Sequence, residues 1–326
     1  MTYMFTKQNL VTYLVALLVI LTLNFFLPRT MPGDPLMAIY GDEALVQMTP
    51  QLKADLTERF ALDQSLWEQF VSYWATLFRG DLGYSYSYNA PVARVILERL
   101  PWTFLLAGLA LVLATGMGIL LGIESGWRRG GRFDGGTLSG MVALSGFPDF
   151  FLGILLLLLF AVHLKVLPLF GAESAYSGLS GFARLADIGS HLVLPLAALV
   201  LARVTAAYLL TRNTMVGVLK EPYILLARAK GLRPREVKYR HAGRNSMLPV
   251  ITRTGIWVGL MVAGVLFIEV VFSYPGIGLL TYNALTFRDY PVLQGLLLVA
   301  SLCVLLANFT VDLLYTRLDP RVSHAR

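Results

Sequence analysis

One cysteine, Cys303, stands in the whole chain, inside an apolar run. It can form no internal disulfide and says nothing about redox compartment. The four histidines, His163, His191, His241 and His324, are scattered. Without a Cys/His cluster there is no metal-site spacing, so no metal is expected. The chain has no G-x-x-x-x-G-K-[ST] phosphate loop, no G-x-S-x-G elbow and no H-E-x-x-H helix,. It reads as a non-enzyme, with no catalytic residue and no cofactor of its own. Charge is scarce too, at 14% of residues against 56% hydrophobic, where soluble domains carry about 25% charged residues. With a mean hydropathy of +0.64, this chain has too little polar surface to cover itself in water. Lipid is the expected solvent for much of it.

What is present is long apolar sequence. Six stretches are long enough to span, given a need for roughly 20 residues: Leu10–Leu27, Pro101–Ile123, Thr137–Leu164, His191–Leu210, Val250–Phe272 and Val292–Leu314. The first is followed by Pro28-Arg29 rather than a small-residue cleavage site, and reads as a retained span,. The fold class is therefore an all-α integral membrane protein with six transmembrane helices. Net charge is +7, and its distribution sets orientation. With both termini cytoplasmic, the inner segments hold 16 Lys/Arg and 5 acids, the outer ones 9 Lys/Arg and 12 acids. The basic excess is topological, so no nucleic-acid partner is implied, only membrane lipid.

The first outer segment, residues 28–100, is too long for a turn and reads as partly helical. Thr49-Pro50 opens one helix, with Pro at the first helical position,. Ser65-Leu66-Trp67-Glu68 is a capping-box pattern opening a second,. Trp67, Phe70, Val71, Trp74, Leu77 and Phe78 then form an apolar stripe, suited to packing on the bundle, to lying at the membrane interface or to receiving an external partner,. Lys165–Ser190, rich in Gly, Ser and Ala, reads as a second outer loop. Ser273–Tyr290, with Tyr274, Pro275, Gly276 and Gly278, reads as a re-entrant or loop element at the external mouth.

Residues 211–249 form the most informative inner loop. Glu221 suits a helix N-terminus, Pro222 the first turn and Gly231 a terminator. Between them Tyr223, Ala227, Arg228, Ala229 and Lys230 lie on a helix of about ten residues, followed by a basic segment to Pro249. So short a helix is marginal alone and needs a surface: the headgroups, or a cytoplasmic protein. Ionisable residues inside spans are functional candidates. Asp149 follows the span-interrupting Pro148, and a freed carbonyl there belongs where it lines a cavity or is buried. Arg203 lies deep in the fourth span and is a candidate for snorkelling, an ion pair or a substrate contact. Glu269 lies near a span end, where charge costs little.

Several short motifs occur in a fixed order: Pro32-Gly33-Asp34-Pro35; Gly80-Asp81-Leu82-Gly83; Ala227-Arg228-Ala229-Lys230-Gly231; His241-Ala242 with Leu248-Pro249; Tyr274-Pro275-Gly276-Ile277-Gly278; Arg288-Asp289-Tyr290; Asp312-Leu-Leu-Tyr315; and Asp319-Pro320-Arg321. In this order the chain resembles, over nearly its whole length, the inner-membrane permeases of binding-protein-dependent ABC importers, in the dipeptide/oligopeptide/nickel subfamily. The resemblance implies the type I importer permease fold in the bacterial inner membrane. It implies a second homologous permease, two ATP-binding cassette ATPases that carry the ATP and Mg, and an extracytoplasmic substrate-binding protein. It also implies that Glu221–Gly231 docks in a groove of the ATPase. The substrate expected is a small peptide, with a nickel or other metal chelate as the alternative. Gly243 departs from the pattern, standing where the subfamily usually has Leu, and is expected to loosen packing near the docking helix. Arg203 has no basic counterpart. An ion-coupled secondary transporter would need coupling-ion sites and usually internal repeats, and no repeat is convincing. No cluster of His, Asp or Cys across spans supports a membrane-embedded enzyme.

Overall fold

The computed structural model describes residues 7–30, 35–59, 63–259 and 265–318. Helices follow one another along the chain: α1 (Lys7–Arg29), α2 (Pro35–Tyr40), α3 (Asp42–Gln47), α4 (Pro50–Arg59), α5 (Leu66–Phe78), α6 (Val92–Trp127), α7 (Arg132–Ser145), α8 (Asp149–Leu156), α9 (Gly181–Val218), α10 (Pro222–Ala229), α11 (Pro234–Glu236), α12 (Arg244–Gly259), α13 (Leu266–Val271), α14 (Ile277–Thr286) and α15 (Tyr290–Leu318). Two π-helical runs, Leu157–His163 and Val237–Gly243, continue α8 and lead into α12. Among the described residues the only β pairing is the isolated bridge between Tyr84 and Pro91.

Among the described residues, two helices are long and apolar enough to cross a membrane, α6 and α9. A third candidate is the pair of α7 with Asp149–His163, bent by 98°. The third apolar stretch is therefore not one straight span. Pro148 supplies no backbone N–H and pushes Phe147 out of helical conformation, so the helix breaks there and restarts at Asp149,. The described apolar parts of α1 and α15 are shorter. Part of the fifth stretch, Pro32-Gly33-Asp34 and Asp319-Pro320-Arg321 lie outside the described residues.

The chain divides into two compact units, Met1–Pro101 with Gly276–Leu306, and Trp102–Pro275 with Ala307–Arg326. In the first, α4 starts at Pro50, and Leu52 N donates to Thr49 Oγ1 at 3.3 Å. The capping box at α5 closes as the sequence predicts. Glu68 N donates to Ser65 Oγ at 3.3 Å, and Ser65 N donates to Glu68 Oε2 at 2.8 Å. Phe70 stacks on Phe26 at 5.7 Å and meets Phe25 edge-on at 5.1 Å, which holds α5 on α1. The rest of the apolar stripe is largely uncovered, with Trp67 and Phe78 71% and 82% exposed. Asp289 is fully buried and accepts from Ser85 Oγ at 2.6 Å and Ser87 N at 3.0 Å, which ties the loop after α5 to the start of α15.

The second unit has its core where α6, α8, α9 and α13 meet, around Leu106, Ala198, Leu199, Ile268 and Phe272. Gly118, Gly122 and Gly126 fall on one face of α6, one turn apart, against α9. A Cβ on Gly122 would lie 2.6 Å from Thr211 Cβ and 2.8 Å from Tyr208 O, so the two backbones touch as only glycine permits,. The stretch after residue 180, expected as loop, is already helical from Gly181. Its lower hydropathy marks where the helix leaves the apolar region, not where it ends.

Candidate functional site

The inner loop is helical almost throughout. α9 runs to Val218, and a tight turn through Leu219–Glu221 reverses the chain into α10. Glu221 is extended at the N-cap and Pro222 takes the first helical position. Lys230 N donates to Leu226 O at 3.0 Å, and Gly231 at φ +72° turns the chain out of the helix. A side chain rarely adopts that conformation, which is why a glycine stands there. The segment to Pro249 is not an extended basic connector. It forms α11, the second π-helical run and the first turns of α12.

α10 is anchored by two residues. Ile224 and Ala227 are buried in a cluster with Ile123 of α6, Met215 of α9, and Val237 and Ala242 of the π-helical run. Tyr223 Oη accepts from Asn245 Nδ2 at 2.8 Å, and the Arg228 guanidinium lies 5.4 Å from the Trp127 ring centre. The opposite face is uncovered. Leu225 and Leu226 are 60% and 56% exposed, Tyr223 is 40% exposed, and Arg228, Ala229, Lys230 and Gly231 are exposed as well. Of the residues singled out in this helix, Ala227 alone turns inward. Gly243 reverses the expectation made for it. It is buried, and a Cβ there would meet Lys238 O at 2.9 Å and Ile123 Cδ1 at 3.1 Å. A leucine would not fit, so the glycine tightens the contact with α6 rather than loosening it.

Beneath this helix lies an ionic hub that sequence reasoning missed. Asp134 on α7 is 3% exposed and accepts both Arg212 Nε at 2.6 Å and Arg212 Nη2 at 2.7 Å. It also accepts from Ser125 Oγ at 2.5 Å and Gly130 N at 3.0 Å, and Ser125 in turn meets Tyr208 Oη at 2.7 Å. The paired Arg212 hydrogen bonds, opposed by burial, hold the Asp134 carboxyl well below the usual carboxylate range. Nearby, Glu124 accepts from Lys238 Nζ at 2.6 Å and pairs with Arg128 at 2.6 Å. The hydrogen bond from Lys238 lowers its pKa. Asp134 and Glu124 lie beyond the ends of the apolar stretches, and they staple α6, α7, α9 and the π-helical run together. The signal in the sequence was two acids, Glu124 and Asp134, in a connection otherwise rich in Arg and Gly.

The intramembrane candidates separate. Glu269 is fully buried and accepts from Thr103 Oγ1 at 2.7 Å. Its position near a span end does not spare it desolvation, and hydrogen bonding offsets that penalty instead. Asp149 begins α8 and its carboxylate accepts from Phe150 N at 2.8 Å. Arg203 lies 5.2 Å from the Trp257 ring centre and shares a small cavity of 120 Å³ with Arg253, Thr115 and Thr254. Tyr274 is fully buried edge-on against Trp102 at 5.9 Å. Pro275 is half-buried, Gly276 precedes α14, and Gly278 is buried in that helix. These residues shape a turn and a helix start rather than present a polar lining.

Residues 114–324 match the family described as "Binding-protein-dependent transport system inner membrane component", and residues 2–107 match the family of its N-terminal part. The chain is 37% identical over 321 residues to the di/tripeptide transport system permease protein DppB of Pseudomonas aeruginosa, covering 93% of this chain and 94% of that one. It is 35% identical over 325 residues to the dipeptide transport system permease protein DppB of Escherichia coli strain K12, with the same coverage. The DppB of Alkalihalophilus pseudofirmus is 35% identical over 337 residues, covering 98% and 99% of the two chains.

Proposed function

This chain belongs to the family of inner membrane components of binding-protein-dependent transport systems, and from that premise we propose that it forms half the pathway of an ATP-driven importer of short peptides. It is a multi-pass permease subunit of the bacterial inner membrane. Peptide as substrate rests on the relatives, whose names specify dipeptides and di/tripeptides. The pathway is completed by a second permease, fed by an extracytoplasmic binding protein and driven by two ATPases. Six spans with both termini cytoplasmic follow from the charge bias,.

The observation that carries ATPase coupling is the two-sided α10. Its inner face is fixed in the cluster around Ile224, and its outer face offers Tyr223, Leu225 and Leu226 beside Arg228 and Lys230. A partner that grips the outer face pulls on α9 through the Leu219–Glu221 turn and on α12 through Asn245. ATP-driven closure of two ATPases then draws the docked helices together and reopens the spans outward, and hydrolysis resets them. This is a population shift driven by differential binding. Ala229→Glu and Gly231→Asp are expected to leave the chain in the membrane and abolish ATPase co-purification. Full ATPase binding and transport in both variants would sink the docking assignment.

A further inference from the structure

In the first unit, Trp67, Val71 and Phe78 of the α5 stripe are exposed. The polar face of the same helix, Gln69, Ser72, Tyr73 and Thr76, lines a cavity of 460 Å³ together with Leu77. That volume falls within the roughly 300–1,000 Å³ of small-molecule sites. Arg29 enters the same cavity from the end of α1. Its Nε donates to Gln69 Oε1 at 2.9 Å and its Nη1 to Phe25 O at 3.0 Å. Both acceptors are neutral, and among the described residues no carboxylate pairs with this guanidinium, so donors of its planar fork stay available. Two other groups on the wall, Tyr73 Oη and Gln294 Nε2, are buried without a hydrogen-bond partner. Native structures rarely leave such groups unsatisfied.

The cavity also has an acid, Asp81, from the Gly80-Asp81-Leu82-Gly83 motif. Asp81 Oδ1 accepts from Gly83 N at 2.9 Å, and the turn it stabilises carries glycines at φ +75° and +84°. Asp81 is exposed and makes no ion pair among the described residues, so its second oxygen can take a cation. The wall is mixed, with Leu77, Leu82 and Leu298 beside the polar groups, and a chamber that sets a guanidinium without a carboxylate partner, a carboxylate without a cation and two unfilled donors among them matches a small zwitterion. It does not match an apolar solute, which would strand those groups, or a simple anion, which Asp81 would repel.

We propose that this cavity is a subsite for a free short peptide, its terminal carboxylate on Arg29, Tyr73 and Gln294 and its terminal ammonium toward Asp81. The inference rests on the peptide-importer reading above, and gives the permease a part in recognising both peptide ends.

The test is saturation-transfer NMR of a free dipeptide with the assembled permease–ATPase complex in nanodiscs, without the binding protein. Wild type is expected to give a signal that the C-terminally amidated and N-acetylated dipeptides lose. Arg29→Gln should weaken binding about tenfold, as expected for a lost charge-assisted hydrogen bond. Tyr73→Phe removes only an unpartnered hydroxyl and Asp81→Asn keeps the turn acceptor, so both should fold, and each should weaken binding about threefold. No wild-type signal, equal binding of the blocked peptides, or unchanged binding in Tyr73→Phe and Asp81→Asn would overturn the subsite. Uptake of the same dipeptide by the complete importer in proteoliposomes is measured alongside. Uptake without a subsite signal rejects this inference and leaves the importer reading standing, whereas no uptake rejects the peptide reading itself.

Discussion

At the scale of single residues, Gly122 and Asp134 carry the sharpest expectations. Gly122→Ala places a methyl group inside contact distance of α9 backbone, and overpacking of this kind costs about 1–3 kcal/mol. The purified protein should show a clearly lower Tm. Gly116, on the same helix with open space around its Cβ position, is the control. Gly116→Ala should be neutral or mildly stabilising, because alanine is the better helix former. Asp134→Asn leaves Arg212 without its charge partner in a nearly buried site, for a loss of about 3 kcal/mol near neutral pH. Because folding depresses the Asp134 pKa, the stabilisation is present above the unfolded carboxylate value of about 4 and fades below it. The gap in Tm between wild type and Asp134→Asn should therefore narrow as pH falls below about 4.

At the scale of elements, α10 separates anchoring from docking. Ile224→Ser should destabilise the inner loop by about 2–4 kcal/mol, since it empties the centre of a packed cluster,. Leu225→Ser, on the exposed face, should leave Tm within about 0.5 kcal/mol of wild type and still reduce ATPase co-purification. Equal thermal effects of the two would contradict the two-faced reading. The start and stop of this helix were legible in Glu221, Pro222 and Gly231 because capping chemistry is local. The α5 capping box was legible for the same reason. Which way Ala227 points, and why residue 243 must be glycine, depends on Ile123, more than a hundred residues away, and local pattern carries no trace of it. The bend at Pro148 was half legible, since proline announces a break but not an angle. The four-residue spacing of Gly118, Gly122 and Gly126 on α6 went unread in the sequence. Its meaning waited on α9 as the partner.

At the scale of the whole molecule, the arrangement across the membrane can be read with reporter cysteines after Cys303→Ser. Tyr176 is fully exposed and lies in a segment assigned to the outside. Tyr176→Cys should react with a membrane-impermeant maleimide in intact cells. Arg240, exposed in the inner loop, should as Arg240→Cys react only after the cells are opened. The opposite pattern would invert the topology.

The most direct test of the central claim is uptake of a labelled dipeptide into proteoliposomes. They would hold this chain with its partner permease and ATPases, with the binding protein supplied on the side of its outer face. Uptake should require ATP and the binding protein together, and Ala229→Glu should abolish it while the chain stays in the bilayer. Uptake by this chain alone, driven by an ion gradient without ATPase or ATP, would contradict the account.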